Sequence, residues 1–173
     1  MANTFLLAQG HNLGASRVEP EMLAECRRLE VKAAARDIRV LLPSDLRVGS
    51  SLDAASATVR SVESGLSEHE MALDIGPVSE ANFASVIQDA KTVFWNGPMG
   101  VFENPAFAQG SLAIARAMAE SEGYTVVGGG DSVAAINASG LAAQIDHIST
   151  GGGASLEFIQ GHILPGLSAL VSH

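Results

Sequence analysis

The stretch Tyr124-Thr125-Val126-Val127-Gly128-Gly129-Gly130-Asp131-Ser132-Val133-Ala134-Ala135-Ile136 passes from a β-branched run to a helical one through three glycines and an aspartate. That order predicts a strand turning into a helix, with the glycines at the corner. The first N–H groups of a helix have no partner inside it, and the dipole is positive at that end, so such a corner suits a phosphate. The arrangement recurs where Ile145-Asp146-His147-Ile148 leads through Ser149-Thr150-Gly151-Gly152-Gly153 into Ala154-Ser155-Leu156-Glu157-Phe158-Ile159. Two such corners in one sheet could face one polyphosphate. Glycine also lets a backbone turn with positive φ and nothing more, so the pattern alone names no ligand. Val133 stands where a dinucleotide G-x-G-x-x-G would need its third glycine, and no Lys-Ser or Lys-Thr follows either run to make a P-loop.

Outward from these corners the chain alternates strands and helices. The spacing predicts a helix ending near Ala8 before Gly10, a helix over Glu21 to Asp37, and a strand at Ile38 to Leu42 stopped by Pro43. The polar stretch Gly49 to Glu70 reads as peripheral, with a short strand at Ala57 to Val62. Met71 to Ile75 returns to the core, Ser79 is a candidate N-cap, and a helix follows over Glu80 to Ala90. Thr92-Val93-Phe94-Trp95 is the next strand, with a helix from Pro105 to Glu120 after it. The expectation is an α/β fold: one domain over residues 1–173 with a Rossmann-like, mainly parallel sheet, helices on both faces, and ligands gathered at the carboxyl ends of the strands. An α/β unit normally opens on a strand. This chain opens on a helix, so the sheet is expected to be incomplete at its N-terminal end.

A chain of 173 residues, 47% apolar, is long enough for one domain with a substantial core. Its net charge of −9, with ten Lys and Arg, argues against nucleic acid and against a basic membrane anchor. No apolar run approaches a membrane span and no signal peptide is visible, and Cys26 has no second cysteine to pair with, which fits a reducing cytoplasm. His11, His69, His147, His162 and His173 lack zinc-ligand spacing, and no G-x-S-x-G elbow supports a serine hydrolase. Phosphoryl transfer would need cations near the moving group, yet no lysine or arginine follows Arg116.

Trp95-Asn96-Gly97-Pro98-Met99-Gly100-Val101-Phe102-Glu103, with Gly128 to Ser132 and His147 to Glu157, closely resembles the nucleotide-binding half of phosphoglycerate kinase. Met1 to Leu6 and Ala72 to Pro77 are similar too, and the matches run in family order along essentially the whole chain. The resemblance implies an ATP/ADP site with Mg²⁺. In it Leu73 and Pro98 line the base slot beside Ala72, Glu103 meets the ribose, and Asn96 approaches the phosphates. Gly128, Gly129, Gly130, Asp131 and Ser132 bind nucleotide, Asp131 serves the metal, and the amides of Gly129, Gly152 and Gly153 hold the group in flight. A bare carboxylate at a helix start would repel phosphate unless a divalent cation bridged them, which makes the role of Asp131 physically sensible. The alternative readings are an N-cap for Asp131 and a solvated carboxylate near a helix start for Glu103. Trp95 reads as core.

The same resemblance implies a second lobe with basic residues for 3-phosphoglycerate, which this sequence does not contain, and Leu7 stands where relatives commonly carry lysine. The expectation is therefore a phosphoglycerate kinase fragment that binds Mg-ADP or Mg-ATP and is inactive alone. Its alternatives are a stand-alone nucleotide-binding module and a structural remnant that binds nothing. A missing strand would also leave a sheet edge open to self-association.

Overall fold

Backbone N–H and C=O groups of a strand need a ladder, and in the computed structural model six strands among the described residues find one, in two separate sheets. The structure describes residues 1–149, 151–166 and 168; Thr150 of the second glycine run and His173 lie outside them. The chain divides into two units, Met1–Ser85 with Met99–Ile114 and Val86–Pro98 with Ala115–His173.

The first unit opens on helix α1, Ala2–Ala8, ended by Gly10 at φ 98°. A 3-10 turn at Pro20–Met22 leads into α2, Leu23–Ala34, whose Arg27 donates Nε–H to the Ala8 carbonyl at 3.0 Å and so covers the end of α1. Strands β1, Asp45–Gly49, β2, Thr58–Ser61, and β3, Met71–Ile75, form an antiparallel sheet in the order β2-β1-β3. Leu6, Leu13, Leu46, Val48, Val62 and Leu66 make its buried core. The β1–β2 pairing is antiparallel because Ser50 to Ala57 is a short loop, and a parallel pairing would need a crossover of roughly a dozen residues or more. The expected parallel order therefore belongs to the other sheet.

Two local expectations are corrected here. Ile38 to Leu42 is not a strand: beyond a bond from Ile38 N–H to the Ala33 carbonyl, its backbone finds no partner among the described residues, and Ile38, Val40 and Leu41 are exposed. Apolar β-branched sequence without a ladder stays irregular, and the strand forms only after Pro43, at β1. Ser79 is not the N-cap of its helix either. Helix α3 spans Pro77–Asp89, and Asp45 of β1 reaches across to cap it, accepting from Val78 N–H at 3.0 Å and Ser79 N–H at 2.8 Å. The Ser79 hydroxyl instead donates to the Asp45 carboxylate at 2.6 Å.

The second unit holds the parallel sheet. Strands β4, Thr92–Asn96, β5, Tyr124–Gly128, and β6, His147–Ser149, lie in the order β4-β5-β6, with Asn96 opposite Gly128 and Gly128 opposite Ser149. Helix α4, Gln109–Ala119, precedes β5 in the chain and straddles the division between the units, while α5, Gly130–Ser139, follows β5 and α6, Gly152–Ile159, follows β6. Trp95, Val127 and Ile136 are buried, so Trp95 is core as its sequence context predicts.

Candidate phosphate-binding corner

In a parallel sheet every strand ends on the same side, so the Asn96, Gly128 and Ser149 ends of β4, β5 and β6 lie in a row. Both glycine runs leave from that row. Gly129 takes φ 90°, a conformation open to glycine and costly for other residues, and this lets the chain turn from β5 into α5. Gly128 is buried against Phe94, where an added Cβ would meet the ring Cζ at 2.9 Å. The second corner comes close enough that a Cβ on Gly152 would stand 2.6 Å from the Cα of Gly129. The two corners the sequence pairs are thus neighbours in space, and their glycines permit the approach.

The first turn of α5 leaves the amides of Gly130, Asp131 and Ser132 without an acceptor among the described residues. Asp131 is exposed on that turn. Asn96 packs beside the corner: a Cβ on Gly129 would lie 3.4 Å from its Oδ1, and its Nδ2 is buried with no hydrogen-bond partner among the described residues. An orphaned donor beside free amides is a reason to expect an acceptor there. The Ser132 hydroxyl, by contrast, is committed, accepting from Gly97 N–H at 2.5 Å while fully buried. It ties the turn after β4 to the start of α5. At the second corner the hydroxyls of Ser149 and Ser155 pair at 2.8 Å.

Mg²⁺ characteristically takes one or two protein carboxylates and completes its shell with phosphate oxygens and water. A lone exposed Asp131 beside open amides fits that habit. Among the described residues no group of three or more His, Cys, Asp or Glu is arranged to hold a metal by protein ligands alone.

Pro98 belongs with Asn96 to the second unit, whereas Ala72, Leu73 and Glu103 belong to the first. There Leu73 is buried, Glu103 is exposed, and Val101 N–H donates to the Leu73 carbonyl at 2.9 Å, so the turn that carries Glu103 rests on β3. Sequence reasoning gave no role to Asp74. This carboxylate is buried, accepts from Gly110 N–H at 2.7 Å, and is pushed up to about 6 by burial, against the opposing pull of the Gly110 and Ile75 amides and Arg47. A single carboxylate inside the apolar run Met71 to Ile75 was the available signal. Asp146 is another unassigned tie, held below the usual carboxylate range by the Thr125 N–H and then the Thr125 hydroxyl.

Among the described residues no helix is long and apolar enough to cross a membrane. The family model described as phosphoglycerate kinase matches residues 1–162. A phosphoglycerate kinase of Clostridium botulinum is 49% identical over 170 residues, covering 98% of this chain and 43% of the relative. One of Herpetosiphon aurantiacus is 51% identical over 171 residues, again across 43% of its length. The solved phosphoglycerate kinase of Coxiella burnetii superposes with a TM-score of 0.88 at 43% identity, over 94% of this chain and 42% of that one. That of Pyrococcus horikoshii gives 0.74 at 35% identity, over 98% of this chain and 42% of that one. The chain thus spans less than half the length of these relatives.

Proposed function

The chain belongs to the phosphoglycerate kinase family, and we propose that it is the nucleotide-binding part of such a kinase, holding Mg-ADP or Mg-ATP for phosphoryl transfer between 1,3-bisphosphoglycerate and ADP. The observation that carries this reading is the approach of Gly152 to Gly129 at the ends of neighbouring parallel strands, which sets two helix starts side by side. The amides of Gly129, Gly130, Asp131 and Ser132, with those of Gly152 and Gly153, donate to phosphate oxygens, and Asn96 supplies its Nδ2, which has no partner among the described residues. Asp131 would hold Mg²⁺, which would neutralise phosphate charge. Gly128 contributes by turning the chain, and the resemblance assigns Pro98 to the base. Ala72 and Leu73 for the base and Glu103 for the ribose follow from the resemblance. Transfer is direct and in line, with no covalent enzyme intermediate, so these groups act by position and by charge.

We also propose that the chain turns over no substrate by itself. Lys91 and Arg116 are the only lysine and arginine of the second unit, too few cations for a moving phosphoryl group. The basic groups for 3-phosphoglycerate then come from the kind of segment its longer relatives possess. A cytoplasmic setting suits the lone, buried Cys26 thiol. Self-association through an exposed sheet edge is a further proposal, and the exposed apolar side chains of Ile38, Val40 and Leu41 add accessible apolar surface to it.

Calorimetric titration with Mg-ADP tests the central reading. Saturable binding without turnover in a coupled assay, and turnover once the N-terminal part of a relative is added, is the expected result. Binding without such restoration would favour a stand-alone binding module. No binding would leave a structural remnant.

A further inference from the structure

Strand β4 ends on Asn96-Gly97, the only Asn–Gly pair in the sequence. Asparagine is a chemically labile side chain, and most so before glycine, because no Cβ on the next residue shields its backbone nitrogen from the side-chain carbonyl carbon. Packing does not restrain the turn here: Gly97 takes φ 106°, and an added Cβ would meet nothing within 4 Å. Nor is the leaving group held, since Asn96 Nδ2 has no hydrogen-bond partner among the described residues. Two features do hold the peptide between the pair. Asn96 is laddered opposite Gly128, and Gly97 N–H donates at 2.5 Å to the hydroxyl of the fully buried Ser132. Ser132 sits in the first turn of α5 beside the open amides of Gly130 and Asp131. A Cβ on Gly129 would lie 3.4 Å from Asn96 Oδ1, so a change in this side chain is a change in the phosphate corner itself.

We propose, resting on the reading that this corner holds phosphate, that Asn96-Gly97 is a modification site: the Ser132 hydroxyl holds back its deamidation, and the product carboxylate closes the corner to anions. Once Gly97 N has given its proton to base from solvent, it bonds to Asn96 Cγ while the Cγ–Nδ2 bond breaks, and Nδ2 leaves as ammonia. Water then opens the succinimide at one carbonyl or the other, leaving aspartate or isoaspartate in place of Asn96 with no change of oxidation state. Closing that ring needs rotation about the Asn96 Cα–C bond, which swings Gly97 N–H off the Ser132 hydroxyl and leaves a buried polar group without its donor. The bond therefore opposes the reaction. Its product sets a negative charge, in place of a donor amide, beside amides that await phosphate, and like charges repel.

The test ages the full chain at mildly alkaline pH, folded and in urea, and follows the peptide carrying Asn96-Gly97 by mass spectrometry with detection of isoaspartate. Folded wild type is expected to lose ammonia there at least about tenfold more slowly than the unfolded chain, and folded Ser132→Ala about fivefold faster than folded wild type, the size of one net hydrogen bond. Ile136→Val, which trims a buried side chain in the same helix and leaves the hydroxyl in place, is expected to age more slowly than Ser132→Ala. Wild type that ages as fast folded as unfolded, or a Ser132→Ala rate no greater than that of wild type or of Ile136→Val, overturns the role of the hydroxyl. Should Ser132→Ala fail to fold, hydrogen exchange at the Gly97 amide of wild type decides: a protected amide upholds the proposal, and one that exchanges as freely as in the unfolded chain overturns it. A second arm measures Mg-ADP affinity in Asn96→Asp, expected at least about tenfold below wild type. Equal affinity overturns the closing of the corner and leaves the nucleotide reading standing. Absence of Mg-ADP binding by wild type overturns the nucleotide reading and the closing with it, while the ageing rates still decide what the hydroxyl does.

Discussion

Gly152 and Gly129 stand back to back, so close that a Cβ on the first would lie 2.6 Å from the Cα and 3.1 Å from the nitrogen of the second. Backbone cannot rotate away as the end of a side chain can. Gly152→Ala must therefore push the start of α6 off the start of α5, at a cost of about 1–3 kcal/mol. Gly153→Ala is its control, since a Cβ there meets nothing within 4 Å and the amide is retained. Chemical denaturation should show the first variant destabilised and the second unchanged or slightly more stable. Mg-ADP affinity should fall at least tenfold in Gly152→Ala alone, whereas equal affinity in both variants would mean that the approach of the corners has no part in binding.

Asp131 is exposed and makes no side-chain hydrogen bond among the described residues, so its removal separates binding from folding. Asp131→Asn should change stability by less than about 1 kcal/mol, the size of a charge effect at a helix start. ADP affinity measured with Mg²⁺ should drop to the level measured with a chelator present. Retained dependence on Mg²⁺ in the variant would assign the metal to another group.

The strand-to-helix corners and the parallel β4-β5-β6 sheet were legible because period, glycine and β-branching agree over short stretches such as Thr125 to Ala135. Asn96, Gly128, Gly129 and Gly152 come together because the parallel register aligns the strand ends, which spacing along the chain could anticipate. What escaped reading depends on contacts distant in sequence. Ile38 to Leu42 has strand composition, and only the absence of a ladder partner keeps it irregular. Ser79 has the composition of a cap, yet the acceptor for its amide is Asp45, 34 residues earlier. Asp74 looked like one more residue of a strand until its burial against Gly100 and Gly110 was visible.

The Asp45 cap yields a prediction of its own. Its carboxylate accepts from Val78 N–H, Ser79 N–H and the Ser79 hydroxyl, and the hydroxyl in turn accepts from Ser44 and Asp45 N–H. Asp45→Ala strips the acceptor from buried donors and should destabilise the chain by about 2–4 kcal/mol in urea unfolding. Ser79→Ala, which keeps the carboxylate on both amides, should cost about half as much. Equal losses would mean that the hydroxyl, not the carboxylate, organises the start of α3.

The pH dependence of stability carries two opposed contributions whose signs can be worked out separately. Asp74 is raised from 3.8 to about 6, so the folded chain holds its proton more tightly than the unfolded one. Its contribution is fully present below the unfolded value and is lost as pH rises toward and through 6, by about 3 kcal/mol at the end of that window. Burial thus outweighs the amides and Arg47 that hold the ionised form. Asp146 runs the other way: lowered by the Thr125 amide and hydroxyl, it stabilises above its unfolded value and loses that contribution as pH falls through its folded value. Denaturation of wild type and Asp74→Asn across about pH 3 to about pH 7 isolates the first group, because every other carboxylate is shared. The stability of wild type relative to the variant should decline with rising pH and level off above about 6. A relative stability that rises with pH would mean that the carboxylate gains more from Gly110, Ile75 and Arg47 than it loses on leaving water, and a flat one that the two cancel.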